Sequence, residues 1–245
     1  MNNKQRTANH ESAAECLAEP GSMTRLDVLR LLARAGSNNT PAVNVRKKPL
    51  TGIESTIKRL VDIGGALFGL ILFSPVMLLI SILILLTSRG PVLYRQKRVG
   101  LDGQIFEILK FRSMPPDAEN SVGAVWATVA DKRPTPLGKF IRRTSLDELP
   151  QLFNVLQGDM SLVGPRPERP VFVDGFSKTM PYYDLRHKVK PGITGWAQVN
   201  GWRGNTSIEK RVECDLYYIQ NWSLWFDLWI VTLTIVKGFM HKNAY

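Results

Sequence analysis

The apolar residues of this 245-residue chain are not spread evenly. Between Ile63 and Ser88 no position carries a charge, and about 26 helical residues at about 1.5 Å each suffice for a hydrocarbon core about 30 Å thick. The pattern predicts a membrane helix. Ser74 and Pro75 stand near its middle, where proline deletes one helical hydrogen bond and crowds the preceding turn. A bend is expected there, with the Ser74 hydroxyl available to a freed carbonyl. Lys47, Lys48, Lys58 and Arg59 precede the run, and Arg89, Arg95, Lys97 and Arg98 follow it, so the positive-inside rule places both ends on the cytoplasmic side. A re-entrant helix, break, helix hairpin obeys that rule. A single span with a tolerated proline fits the hydropathy equally well, and these residues leave both open.

Past Pro91 the periodicity shortens to that of strands. Val92 to Val99, a Gly100-Leu101-Asp102-Gly103 turn and Gln104 to Phe111 read as a β-hairpin. A loop with Pro115, Pro116, Gly123 and Pro134 follows, and helical patterning resumes near Leu137. Short helices then alternate with two Gly-Pro segments, Val163-Gly164-Pro165-Arg166-Pro167 and Lys190-Pro191-Gly192-Ile193-Thr194-Gly195. Near the C-terminus Trp222, Trp225, Phe226, Trp229, Leu233 and Val236 recur at helical spacing, with Ser223, Asp227, Thr232 and Thr234 mainly off that stripe. Such a stripe is ordinarily core. Its tryptophans, beside a membrane segment, point instead to a helix lying in the interface. Residues 1 to about 48 are polar, with a helical patch from Arg25 to Ala35 built on Leu26, Val28, Leu29, Leu31 and Leu32. They read as a mobile tail without the ordered regions of a secretory signal.

Composition narrows the chemistry. Hydrophobic residues make up 44% and charged residues 22%, enough for one core with an appendage or two small domains. Lys plus Arg number 32 against 21 for Asp plus Glu, a net charge of +11 that favours polyanionic partners: nucleic acid, phosphorylated substrates or an anionic membrane. Cys16 and Cys214 form neither a disulfide framework nor a zinc cluster, and His10, His187 and His241 are too few for a His-built site. A metal would be a hard cation on carboxylates. The sequence has no Walker A, G-x-G-x-x-G or D-x-D motif.

The densest chemistry runs from Phe140 to Leu156. Ser145 and Glu148 have capping-box spacing, but Asp147 as N-cap with Pro150 at the third helical position fits better, with Leu149, Leu152, Phe153 and Leu156 buried and Gly158 as the stop. A capped amphipathic helix would account for the pattern without catalysis. The functional alternative starts from Asp147 and Glu148 beside Arg142 and Arg143. Opposite charge and the helix dipole are expected to keep both acids ionised, fit to act as nucleophile or Mg²⁺ ligand. Lys110, Arg112, Arg166, Arg169 and Arg203 could neutralise phosphate oxygens, as phosphoryl transfer requires. Singly, each is more often a surface group. Nucleic-acid binding fits poorly, because the basic groups scatter over membrane-facing and loop segments without a recognisable module.

The run Arg142-Arg143-Thr144-Ser145-Leu146-Asp147-Glu148-Leu149-Pro150-Gln151, with Gly158-Asp159-Met160-Ser161-Leu162-Val163-Gly164-Pro165-Arg166-Pro167, closely resembles the bacterial sugar transferases. These are monotopic phosphoglycosyl transferases. Lys58-Arg59 with Asp62, Ser74-Pro75, Lys110-Phe111-Arg112-Ser113-Met114, Lys190 to Trp196 and Asp215 to Ile219 match as well, so the similarity covers about Thr56 to Lys237. The resemblance implies an α+β, mostly helical monotopic membrane protein in the bacterial inner membrane. Residues 1–50 would be a cytoplasmic tail, 51–90 a re-entrant hairpin broken at Ser74 and Pro75, and 91–245 a catalytic domain on the cytoplasmic face with an interfacial C-terminal helix. It further implies transfer of a hexose-1-phosphate from a UDP-sugar to polyprenyl phosphate, with Mg²⁺ present and UMP released, as the first membrane step of exopolysaccharide assembly. Downstream glycosyltransferases are possible partners. By motif match Asp147 would be nucleophile and Mg²⁺ ligand, and Glu148 its neighbour in metal binding or proton handling. Lys110 and Arg166 would hold phosphates, and Asp215 with Arg203 would complete the site. The segment Tyr217 to Trp225 resembles hexose-using relatives, which suggests glucose or galactose. The competing reading is a non-catalytic, basic, membrane-bound adaptor.

Overall fold

The computed structural model describes residues 52–116, 118, 133–180 and 182–238. The polar tail with its Arg25 to Ala35 patch, and Gly123 of the loop, lie outside the described residues.

Helix α1, Ile53–Thr87, is a single helix of 35 residues. It continues through Ser74 and Pro75 rather than dividing there. Pro75 has no N–H for the Ile71 carbonyl, and the Ser74 hydroxyl donates to that carbonyl instead, at 2.9 Å. One stripe of α1 is buried, by Lys58, Asp62, Ala66 and Gly69 in its first half and Ile80 and Ile84 in its second. Phe68, Ile71, Leu72, Leu78, Leu79 and Leu86 stay exposed. Among the described residues this helix alone is long and apolar enough to cross a membrane, and it is packed on one stripe only.

Both ends of α1 are tied to the rest of the molecule. Near its start, Arg59 donates to the carbonyls of Val155 (2.5 Å) and Leu156 (2.8 Å). At its end, Arg112 donates from Nη2 to the Ser88 carbonyl and hydroxyl, each at 2.8 Å.

Strands β1, Leu93–Val99, and β2, Ile105–Phe111, form the expected antiparallel hairpin, with Leu93 opposite Phe111 and Val99 opposite Ile105. The turn places Asp102 and Gly103 at positive φ, 50° and 80°. Helices α2, Pro136–Arg143, and α3, Gln151–Gln157, follow, with a 3₁₀ turn at Leu146–Glu148 between them. The two Gly-Pro segments, read as punctuation in the sequence, pair with one another. Strands β3, Ser161–Val163, and β4, Gly192–Thr194, lie parallel, Ser161 opposite Gly192 and Val163 opposite Thr194. A Cβ at Gly192 would collide with the Gly164 backbone, so glycine permits the approach.

Helices α4, Pro170–Thr179, α5, Trp196–Val199, α6, Ile208–Gln220, and α7, Leu224–Gly238, follow among the described residues. The α7 stripe divides between two environments. Trp222, Phe226 and Leu233 pack on a core containing Trp196, Tyr218 and Ile230, whereas Trp225 (80% exposed), Trp229 and Val236 face outward. Asp227, which lies off that stripe, is buried.

Candidate active site

The acid pair does not cap a helix. Asp147 and Glu148 occupy the 3₁₀ turn ahead of α3, whose N-cap position is Pro150, and neither acid makes a capping bond. Ser145, which opens the turn, has φ 58°, a left-handed conformation seldom adopted by serine. Its hydroxyl accepts from Arg203 Nη1 at 2.9 Å. Arg203 comes from a loop bounded by Gly201 and Gly204, both at positive φ. The turn thus presents two buried carboxylates to a cavity of about 390 Å³.

Glu148 is the electrostatic hub. Lys110 Nζ donates to its Oε1 at 2.9 Å, Arg166 Nη1 to its Oε2 at 3.1 Å and Arg166 Nη2 to its Oε1, while Arg203 Nη2 stands 3.4 Å from Oε1. Burial alone would raise the Glu148 pKa, but Arg166, Lys110 and Arg203 together hold it well below the usual carboxylate value. For Lys110 burial wins and its pKa falls, against the pull of Glu148. Arg166 goes the other way: burial would lower its pKa, but Glu148 raises it on balance.

Asp147 behaves differently. Burial pushes its pKa up, Glu148 adds to the rise, and Lys110 opposes both without prevailing. Both acids were expected to stay ionised at neutral pH; the surrounding cations favour that for Glu148, whereas burial works against it for Asp147. Arg142 contributes only a minor pull, and α3 begins too late to act on Asp147 as a helix terminus. Oδ1 of Asp147 is buried with no hydrogen-bond partner among the described residues. Such an oxygen suits a hard cation or an electrophile. No group of three His, Cys, Asp or Glu side chains clusters among the described residues. Asp147 is the residue of this site that could hold a hard cation such as Mg²⁺.

The other expected residues divide. Lys110, Arg112, Arg142, Arg166 and Arg203 all line the cavity. Arg143 is exposed at the end of α2 and does not line it, because helical spacing turns it away from Arg142. Asp215 is also absent from the lining. It lies buried beneath, where Arg186 Nε and Nη2 donate to its Oδ2 at 3.0 and 2.7 Å. Arg186 also donates to the Arg166 carbonyl at 2.9 Å and the Tyr183 hydroxyl at 2.8 Å. Asp215 therefore positions Arg166 through Arg186 and does not itself enter the site. Burial pushes its pKa up although Arg186 pulls it down.

Arg98, Glu168 and Arg211 were not singled out as site residues, yet all line the cavity. Arg98 donates to the Pro167 carbonyl at 3.0 Å, and Arg211 Nη1 to Glu168 Oε1 at 2.6 Å. Burial lowers the Arg98 pKa to about 10 despite Glu168. Alternation along β1 could have put Arg98 on the face of Gln96; no local signal marks Arg211 or Arg186.

The chain belongs to the bacterial sugar transferase family, whose profile matches residues 53–241. It is 51% identical over 212 residues to the UDP-glucose:undecaprenyl-phosphate glucose-1-phosphate transferase of Escherichia coli (strain K12), a match covering 85% of this chain and 46% of that protein. It is 50% identical over 185 residues to the UDP-N-acetylgalactosamine-undecaprenyl-phosphate N-acetylgalactosaminephosphotransferase of Aeromonas hydrophila, covering 75% of this chain and 44% of that one. A UDP-glucose:undecaprenyl-phosphate glucose-1-phosphate transferase of Caulobacter vibrioides is 45% identical over 192 residues, 77% of this chain and 72% of its own length. The chain thus spans less than half the length of the first two relatives.

Proposed function

We propose that the protein transfers a hexose-1-phosphate from a UDP-sugar to polyprenyl phosphate through a phosphosugar on Asp147. The observation that carries this reading is the unpartnered, buried Oδ1 of Asp147 in a cavity whose cations converge on its neighbour Glu148. In the first half-reaction a carboxylate oxygen of Asp147 attacks the β-phosphorus of the donor. The bond to the bridging oxygen breaks, UMP leaves with the electron pair, and no proton need move. In the second, an oxygen of the acceptor's phosphate dianion attacks the same phosphorus, and the Asp147 carboxylate is restored.

Lys110, Arg166 and Arg203 fit the role of absorbing charge as anionic groups meet. Glu148, saturated by these cations, serves better as their anchor than as a proton carrier. A bound Mg²⁺ would supply further neutralisation of the donor diphosphate. The orphan oxygen of Asp147 and the hard-donor set it completes with substrate phosphates support that cofactor.

Both ends of α1 contact the same catalytic body, which supports a re-entrant arrangement; the basic residues flanking α1 favour the cytoplasmic face of the inner membrane for the catalytic domain. The outward Trp225 and Trp229 support interfacial seating of α7. Glucose or galactose is the favoured sugar, although relatives of nearly equal identity are named for glucose and for N-acetylgalactosamine. The adaptor reading is not favoured, since the site's cations turn inward onto a buried acid. Purified protein, polyprenyl phosphate and a panel of UDP-sugars give the test. UMP release with a lipid-linked product from one donor is expected; none from any donor would refute the reading.

A further inference from the structure

Lys110 is in β2 and Arg112 follows its last residue, where the Arg112 amide still donates to the Val92 carbonyl at 2.9 Å, so the alternation continues and the two side chains leave the same face about 7 Å apart. Lys110 reaches Glu148. Arg112 makes no hydrogen bond or ion pair with that cluster among the described residues; its Nη2 holds the Ser88 carbonyl and hydroxyl at the end of the membrane helix. The guanidinium also lies against Gly90, where a Cβ would strike Nη1. Arg112 is only 6% exposed and lines the cavity, and its Nε and Nη1 are buried without hydrogen-bond partners among the described residues. A buried guanidinium with two unused donors is costly unless an anion arrives.

The wall around it is of a different character from the Glu148 cluster. Pro91 and Leu93 come from the segment that leaves α1, and Met114 and Pro116 from the segment that leaves β2; all four line the cavity. The cavity thus joins a polar region at Glu148 to an apolar region beside the exit of the membrane helix.

We propose that Arg112 receives the phosphate of the lipid acceptor, and that Pro91, Leu93, Met114 and Pro116 receive its first isoprenoid units. This rests on the transferase reading above and divides the cavity between substrates: the soluble donor on Lys110, Arg166 and Arg203, the acceptor on Arg112. Arg112 also links acceptor binding to the membrane helix, because the same guanidinium grips Ser88.

The two half-reactions allow a direct test. Purified wild type, Arg112→Met and Met114→Asp are assayed first with UDP-sugar alone, reading the stoichiometric UMP burst, then with polyprenyl phosphate varied at saturating donor. Each variant is expected to keep the burst amplitude and rate while the KM for polyprenyl phosphate rises about tenfold, in Arg112→Met through loss of one charge-assisted hydrogen bond and in Met114→Asp because a carboxylate in the apolar wall disfavours the isoprenoid chain. A burst reduced in step with overall turnover, or an unchanged acceptor KM in both variants, overturns the assignment and leaves the transferase reading standing. Met114→Asp does not touch the Ser88 contact, so the acceptor reading stays falsifiable if Arg112→Met fails to fold. Absence of the burst in wild type overturns the transferase reading itself, and this assignment with it.

Discussion

Lys58 and Asp227, 169 positions apart in the chain, form a buried ion pair at 2.6 Å between Nζ and Oδ2. It fastens the start of the membrane helix to the first turn of the C-terminal helix. Asp227 also accepts from the Tyr218 hydroxyl at 2.8 Å and Trp222 Nε1 at 3.1 Å. Asp62, one turn beyond Lys58, accepts from the Ser161 hydroxyl and the Leu162 amide, each at 2.9 Å. Three segments remote in sequence meet in one polar cluster.

Lys58→Met leaves Asp227 buried without its cation, a change that typically costs about 3–5 kcal/mol. Thermal unfolding in detergent should show a large drop, and adding Asp227→Asn should recover part of it. A double variant as unstable as the sum of the two single variants would contradict the pairing.

The divided stripe of α7 separates membrane contact from folding. Trp225→Ser with Trp229→Ser should weaken sedimentation with anionic vesicles while leaving the unfolding temperature nearly unchanged, because both rings are exposed. Phe226→Ala, whose ring lies 5.0 Å from Trp196 and packs on the core, should destabilise by about 3–5 kcal/mol. Equal loss of stability in both would argue against the outward placement.

The two acids predict opposite pH behaviour. Glu148 has a depressed folded pKa, so its stabilisation is present above the ordinary value of 4.5 and is lost as pH falls through the folded value. Asp147 has a raised one, so the stability its proton confers is present below 3.8 and is lost as pH rises through the folded value. At neutral pH the buried charge is therefore a cost. Asp147→Asn should unfold at a higher temperature than wild type at pH 7, and the gap should close toward pH 3. A less stable variant at pH 7 would contradict this.

Removing the hub should disperse its cations. Glu148→Gln is expected to lower kcat by at least about a hundredfold in the donor half-reaction, since Lys110, Arg166 and Arg203 lose their shared anchor. Arg166→Lys keeps the charge but not the two-pronged grip, and should retain more activity than Arg166→Met. Equal loss in both would assign the effect to geometry alone.

Much of the fold was legible because its signals are local. Alternation and a Gly-Leu-Asp-Gly turn gave the β1–β2 hairpin nearly to the residue, and the Ser74 hydroxyl takes the carbonyl that Pro75 abandons, as its position suggested. The β3–β4 pair was not legible, because three-residue strands have no period and their pairing depends on two glycines brought together from distant segments. The burial of Asp227 was not legible for a similar reason: its partner Lys58 lies 169 positions away in the chain. Within the site, Asp147, Glu148, Lys110 and Arg166 were legible as a charge pattern. Arg186 was not, since a buried guanidinium that holds a backbone carbonyl looks in sequence like any surface arginine.

The central claim is that Asp147 carries the sugar phosphate. Mass spectrometry of the wild-type protein, quenched after incubation with donor alone, should find a peptide containing Asp147 heavier by one hexose phosphate. The adduct should vanish when polyprenyl phosphate is added, and should be missing in Asp147→Asn. Lipid-linked product accumulating at full rate in Asp147→Asn, or in wild type with no adduct at any quench time, would contradict the claim.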